Sequence, residues 1–393
     1  MGEIGPRVLA IHRYLFRLAL AAGNFFAWVI VFRVLHVFSG DIALALGGTA
    51  LLFAISHGIS FLLTPLAGAA LRHGVRRALI LGSLASLVSF GFLAELFISR
   101  FAKFPDVAFS LIAGFVILNG IQRALYFVPY AAAAPDRSRF GYGEASLALV
   151  PLIGGYVIAE VSGGAGLLFA SAAAIALAAA IALVEMPETY ERFEWSYVGT
   201  LNALFSRAHR GVLWLSVLDG IQGTALLLIW PLAAFLILNQ SFTAFGIVMA
   251  ITFLVAFLGR KIIGRALQFV RAERSPYVLA TIAFSSWIFR LAAGTPVQII
   301  VADVYYHSGA SPRSRGVDAH THDQWADHGH YVDEYTALKE MGLALGRIIT
   351  CLIFAKIVFM YPTVIAFAII MVAAAFAAAA SVLLSHHLHR KLL

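Results

Sequence analysis

The chain has 393 residues, of which 61% are hydrophobic and 12% charged, with a mean hydropathy of +0.88. Soluble domains carry roughly 25% charged residues, so a water-soluble globular fold is excluded and the bilayer must be the solvent. The net charge of +8 sits in alternate connections between apolar segments, a pattern that sets membrane orientation and excludes the basic, aromatic-interleaved face of a nucleic-acid binder.

A helix needs about 20 apolar residues to cross the hydrocarbon core. Runs of this kind predict spans at 14–37, 42–71, 77–99, 107–133, 144–162 and 164–184. Six more follow at 211–238, 243–268, 276–294, 296–308, 335–359 and 363–385. No short cleavable leader is read at the N-terminus, because the first run is long enough to continue as a span. The tenth run is the weak one. Its apolar core, Pro296 to Tyr306, must continue through His307, Ser308 and Gly309, or stop part-way where other helices shield its end. The lone Cys351 lies within a run, so no disulfide framework is expected.

With the N-terminus inside, 21 of the 28 Lys and Arg residues fall in cytoplasmic tails and loops or at the inner ends of spans, and only Arg100 and Lys103 in external loops. The positive-inside rule therefore predicts cytoplasmic N- and C-termini in an inner-membrane protein. Arg33, Glu95, Glu160, Arg290 and Lys356 fall near the outer ends of their helices, where long side chains are expected to snorkel to the headgroups.

Between the two sets of runs lies a polar stretch, Glu185 to Arg210, reading EMPETYERFEWSYVGTLNALFSRAHR. The halves on either side are faintly repeated. Glu144 begins Glu-Ala-Ser-Leu-Ala-Leu and Glu340 begins Glu-Met-Gly-Leu-Ala-Leu, an offset of 196 residues; Gly23-Asn24 and Asp219-Gly220 fall at nearly the same offset. Each half also closes on an alanine-rich stretch. The fold class read from this is an all-α membrane protein of twelve transmembrane helices in two pseudo-symmetric six-helix bundles. The domains are an N-terminal bundle (1–184), a cytoplasmic linker (185–210) and a C-terminal bundle (211–393) with a His-rich cytoplasmic loop at 309–334.

Two motifs narrow the class. The loop after the second span, Leu66-Ala-Gly-Ala-Ala-Leu-Arg-His-Gly-Val-Arg-Arg-Ala-Leu, resembles the signature loop of the major facilitator superfamily: a glycine, three variable residues, an aspartate, a basic residue, one more residue, a glycine and two basic residues. Arg72, Gly74, Arg76 and Arg77 fit. Leu71 stands at the aspartate position, and the leading glycine falls on Ala67. Pro151-Leu-Ile-Gly154-Gly155 is similar to the family's fifth-helix pattern, in which glycines allow close helix approach. The resemblance covers the whole chain and implies an alternating-access carrier with one central cavity, lined mainly by helices 1, 4, 7 and 10. In the family the loop's aspartate helps latch the halves at the cytoplasmic face. With Leu71 uncharged, the latch residues Arg72, Gly74, Arg76 and Arg77 are expected to meet the acidic start of helix 11, Asp333, Glu334 and Glu340, in the outward-facing state.

Polar groups within the spans are the candidate substrate-binding and coupling residues: Asn24, Asn119, Gln122, Arg123, Tyr126, Asp219, Gln222 and Asp303. Asn24, Arg123 and Asp219 fall in one layer, roughly 12–15 Å from the inner ends at 1.5 Å per residue, and Asp303 lies nearer the midplane. An isolated charge in hydrocarbon is costly, so Arg123 and Asp219 are expected to pair across the halves until an anionic group, or a proton on Asp219, releases them.

The loop between spans ten and eleven holds two His-x-His pairs, His320/His322 and His328/His330, near Asp318, Asp323 and Asp327. Imidazoles with carboxylates suit zinc, nickel or copper, so these four histidines are a speculative metal site, and a metal exporter regulated through this loop is one alternative. The spacing matches no structural zinc pattern and the loop has no cysteine ligand, so a solvated linker is the plainer reading. The reading is a monomeric secondary transporter of a small-molecule solute, proton-coupled, in contact with lipid, with no nucleic-acid partner, no cofactor and no enzymatic chemistry. The other alternative is an interaction or assembly protein that kept the carrier fold and lost transport.

Overall fold

The computed structural model describes residues 4–99, 101–133, 143–269, 275–315 and 332–392. Among them it is all helix and connection, without a strand. The first six long helices are α1 (Ile4–Ser39), α2 (Ile42–Ala70), α3 (Val75–Ile98), α4 (Pro105–Ala133), α5 (Gly143–Glu160) and α6 (Gly164–Ala182). A short α7 (Tyr197–Phe205) lies within the polar stretch, its first turn capped by Ser196 Oγ accepting from the Gly199 amide at 3.0 Å. Then come α8 (Arg210–Thr224), a π-helical segment (Ala225–Ile229) and α9 (Trp230–Ile237), which follow without a break. The rest is α10 (Phe242–Phe269), α11 (Pro276–Leu291), α12 (Pro296–Arg315), α13 (Val332–Met360) and α14 (Thr363–Leu392).

Nine helices among the described residues are long and apolar enough to cross a membrane; the apolar parts of α5 and α11 are shorter. The chain is thus a multi-pass membrane protein. Its outward surface agrees with lipid as solvent. On α2, Leu44, Leu51, Ile55, Leu62 and Leu66 form one exposed apolar stripe at helical spacing, which in water would be an uncovered hydrophobic face. Pro65, Pro129 and Pro151 sit inside α2, α4 and α5, as membrane helices tolerate when neighbouring groups satisfy the freed carbonyls.

The weak tenth run is settled by α12, which runs on past Ser308 and Gly309 to Arg315. The connection to α13 is correspondingly shorter than the expected loop at 309–334. His320, His322, His328 and His330 lie outside the described residues.

Helices α1–α6 pack on one another, chiefly α3 on α4 and α6, α2 on α4, and α1 on α6. In the second set α8 packs on α13 and α14, α11 on α14, and α10 and α11 on α12. The sets meet along two long seams, α2 against α13 and α5 against α10. Glycines set the closest crossings. A Cβ on Gly155 of α5 would stand 2.9 Å from Gly246 Cα of α10, and one on Gly220 of α8 would stand 3.0 Å from Gly346 Cα of α13. No side chain fits there. The core is largely aromatic, with Phe26, Phe53, Phe115, Phe169, Phe235, Phe245 and Phe354 fully buried.

Candidate functional site

Asn119 and Arg123 lie one turn apart on α4 and therefore face the same way. Asn119 Nδ2 donates to Asn24 Oδ1 of α1 at 3.1 Å; its Oδ1 accepts from Ser56 Oγ of α2 at 3.3 Å and from Arg123 Nε at 3.2 Å. Gly120 permits this, since a Cβ there would stand 2.9 Å from the Ile59 Cβ. Around Arg123 stand three further titratable groups. Arg347 and Glu340 of α13 are within electrostatic reach of it, and His57 of α2 is within reach of both arginines. Arg347 reaches this point from beside the α8–α13 crossing, where a Cβ on Gly223 would stand 3.7 Å from Arg347 Nε. Asn24, Arg123, Glu340 and Arg347 keep partial exposure well inside their helices, so they border space between the helices.

Asp219 is not part of this group. Its Oδ1 accepts from Gln222 Nε2 on the next turn of α8 and from Ser381 Oγ of α14, both at 2.6 Å. The expected Arg123–Asp219 pair is therefore absent. The reason is local: Asp219 is engaged by neutral donors on α8 and α14, while Arg123 donates to Asn119 on its own helix and lies within electrostatic reach of Arg347 and Glu340 of α13. Gln222 does stand beside Asp219. Gln122 is buried on α4, and its Nε2 has no acceptor among the described residues.

Tyr126 does not border the space around Arg123 either. It is buried, stacks on Phe16 with ring centroids 4.1 Å apart, and shares a 3.2 Å hydrogen bond with His12 Nε2. The other nitrogen of His12 lies 2.9 Å from the Ala179 carbonyl of α6. This is core packing of α1, α4 and α6.

Asp303 forms a third centre with a residue that sequence reading placed elsewhere. Arg290, expected to snorkel outward, is fully buried instead, with 0% side-chain exposure against 3% for Asp303. Its Nε and Nη2 donate to Asp303 Oδ1 at 2.9 and 2.6 Å, and Trp230 Nε1 donates to Oδ2 at 2.9 Å. The guanidinium carbon lies 4.2, 4.4 and 5.1 Å from the ring centroids of Tyr306, Trp287 and Trp230. Three aromatic faces and one carboxylate replace the water that an outer-end arginine would otherwise seek. The π-helical segment, with its wider turn, precedes Trp230 directly and sets the rotation of α9 that points this indole at Asp303. Arg33, Glu95, Glu160 and Lys356 are exposed as expected.

The loop between α2 and α3 is bound to the linker rather than to α13. Arg76 donates from its amide and its Nε to the Glu188 carboxylate, both at 3.0 Å, and Arg77 Nε stands 3.9 Å from the same group. Arg76 Nη1 also donates to the Met186 carbonyl at 2.9 Å, and Arg72 Nε to the Phe193 carbonyl at 2.9 Å. Gly74 turns the chain with φ +121° and caps α3, and Glu188 occupies the place its Cβ would take. Further along the linker, the Glu194 amide donates to buried Glu334 Oε1 at 2.7 Å. Of the acids expected to meet the basic loop, Glu340 instead faces Arg123 and Arg347.

Neither a family model nor a curated protein matches the sequence. Solved structures do match its shape over nearly its whole length. A point mutant of the nucleoside transporter NupG superposes with a TM-score of 0.64 at 13% identity, covering 98% of this chain and 99% of that one. A point mutant of the peptide transporter POT gives 0.63 at 15%, covering 98% and 94%. A D-xylose-proton symporter gives 0.62 at 15%, covering 94% and 95%. The chain has the major facilitator fold.

Leu71, which stands where the resembled signature loop has an aspartate, is wholly buried. The acid beside the basic residues is Glu188, supplied by the linker. Sequence reading missed Glu188, Arg290, His57 and Arg347 as partners. Arg347 carried a usable signal, since an arginine in the middle of an apolar membrane helix must face the interior. The others carried none, because nothing in a linker acid or a helix-end arginine shows which neighbour it will meet.

Proposed function

We propose that the chain is a secondary active transporter, moving a small solute across the inner membrane by alternating access. It works as a monomer, with twelve spans in two six-helix bundles, residues 1–184 and 211–393, joined by a linker at 185–210 and with both termini cytoplasmic. One observation carries this reading. Polar and charged groups of α1, α2, α4 and α13 converge at Asn24, Ser56, Asn119, Arg123, Glu340 and Arg347, on both sides of the α2–α13 seam, and Asn24, Arg123, Glu340 and Arg347 keep partial exposure there. Charged groups inside a membrane fold are costly unless function uses them. Neighbours in fold that carry nucleosides, peptides and xylose with protons support the class.

Proton coupling is the simplest energy source, and Asp219 suits it. Its charge is held by two neutral donors, Gln222 and Ser381, with no cation paired to it among the described residues. Protonation would cancel a charge that nothing else cancels and would loosen α8 from α14. Asp303, with Arg290 and Trp230 fixed on it, is the less mobile carboxylate.

The test uses purified protein in proteoliposomes containing a trapped pH dye, screened against nucleosides, dipeptides, sugars and organic acids. A carrier acidifies or alkalinises the lumen with one solute class. Asp219→Asn should abolish that pH change while leaving exchange of labelled solute across the membrane. Absence of any solute-dependent flux, with folded protein, would contradict the transporter reading. Intact proton movement in Asp219→Asn would remove Asp219 from coupling.

A further inference from the structure

The charges around Arg123 do not balance. Arg123 of α4 lies within electrostatic reach of Arg347 of α13, and the acid within reach of both is Glu340. The ion pairs among the described residues are Arg76 and Arg77 with Glu188, and Arg290 with Asp303; neither Arg123 nor Arg347 belongs to one. Asp219 is engaged elsewhere by Gln222 and Ser381. Among the described residues, two guanidiniums against one carboxylate leave an excess of one positive charge within the helix bundle.

The donors are also unspent. Arg347 Nε and Gln122 Nε2 are buried without an acceptor among the described residues, and His57 Nε2 is buried without a partner of either kind. Arg123 has one neutral acceptor, the Asn119 side chain, and Arg347 makes no hydrogen bond among the described residues. Buried polar groups are normally satisfied, and an unsatisfied charged donor costs more than a neutral one. Each arginine presents a planar fork that matches a carboxylate, sulfonate or phosphate oxygen pair. Glu340 and Arg347 lie seven residues apart on α13, which is two turns and about 10 Å of rise. The acid can therefore offset one arginine only partly while leaving the forks open.

From this we infer that the transported solute is an organic monoanion whose acidic group is clamped between Arg123 and Arg347, the two arginines reading it from opposite sides of the α2–α13 seam. The inference rests on the transporter reading and assigns its substrate class. Asn24 and Asn119 orient the neutral part of the solute. Glu340 disfavours a second negative charge, so dianions bind less well than monoanions.

The experiment compares matched solutes that differ in charge: benzoate, benzamide and benzylamine, and hexanoate, hexanamide and hexylamine. Melting of the purified full-length protein is followed with each, and uptake into proteoliposomes is measured in parallel. The anion of a set should raise the melting temperature and compete with uptake, whereas its amide and amine should do neither. Arg347→Gln and Arg123→Gln should lose the shift, with half-saturation rising about tenfold or more. Arg347→Lys should keep part of it. Without solute, Arg347→Gln should melt no lower than the parent, because it removes an uncompensated buried charge. A marked fall in that solute-free melting temperature would make Arg347 a structural group and overturn the assignment. Stabilisation and uptake of an amide or amine instead would overturn the anion class and keep the carrier. Failure of every solute both to stabilise and to be taken up would count against both.

Discussion

A single buried arginine shows how the local energetics differ from the surface rule. Arg290 and Asp303 are both nearly free of solvent exposure, so the pair cannot be weighed as a surface salt bridge. Breaking such a pair by removing one partner typically costs about 3–5 kcal/mol, because the remaining charge stays buried. Asp303→Asn should therefore lower the melting temperature severely, and Arg290→Met combined with Asp303→Leu should recover most of the loss. A stable Asp303→Asn protein would mean that the aromatic faces of Trp230, Trp287 and Tyr306 alone hold the guanidinium. Asp219 contrasts with this. Its partners are neutral, so Asp219→Asn keeps both hydrogen-bonding groups in place and should fold normally, as a coupling residue must.

At the scale of elements, the linker segment from Glu185 to Trp195 is the piece whose attachment matters. It binds the loop between α2 and α3 through Glu188 and reaches α13 through Glu194 and Glu334. Magnitudes decide what holds it. The Arg76–Glu188 pair is partly exposed, with side-chain exposures of 31% and 13%, and such pairs are worth about 0–1 kcal/mol. Phe193 is fully buried against Gly68, Leu71 and Val75, and deleting a buried phenylalanine ring costs about 3–5 kcal/mol. Phe193→Ala should therefore expose the linker to tryptic cleavage after Arg192, whereas Glu188→Gln should leave it protected. The opposite result would show that charge, not the ring, holds the strap.

The same contrast explains what can be read from the residues alone. Helix positions follow from the lengths of apolar runs, because lipid demands satisfied backbone over a fixed thickness. Each expected span from 14–37 to 363–385 is centred on helix, 144–162 and 276–294 overrunning α5 and α11 by two and three residues, and the run at 296–308 extends on to Arg315. Partnerships across helices follow from rotation and crossing, which apolar periodicity leaves undetermined in spans that are hydrophobic all round. Asn24, Asn119 and Arg123 come out together because depth along a helix is readable from residue counting. Asp219 is at the right depth but on the wrong side, pointing to Ser381. Arg290 misleads because its place near a helix end is where exposed arginines ordinarily lie. The π-helical turn before Trp230 leaves no mark in composition.

For the molecule as a whole, the central claim is that the layer holding Asn24, Arg123 and Arg347 is open to one side of the membrane at a time and to both in turn. The two seams, α2–α13 and α5–α10, are long contacts, the second closed by the Gly155–Gly246 crossing, and the proposed carrier would rock about them. The direct measurement is labelling of a single cysteine at Asn24, in a protein with Cys351→Ala, by a membrane-impermeant maleimide. Sealed vesicles of each orientation are used, with and without an imposed pH gradient. Alternating access predicts labelling from both faces, with the ratio of the two rates changing when the gradient or solute is applied. Labelling confined to one face under every condition would contradict it.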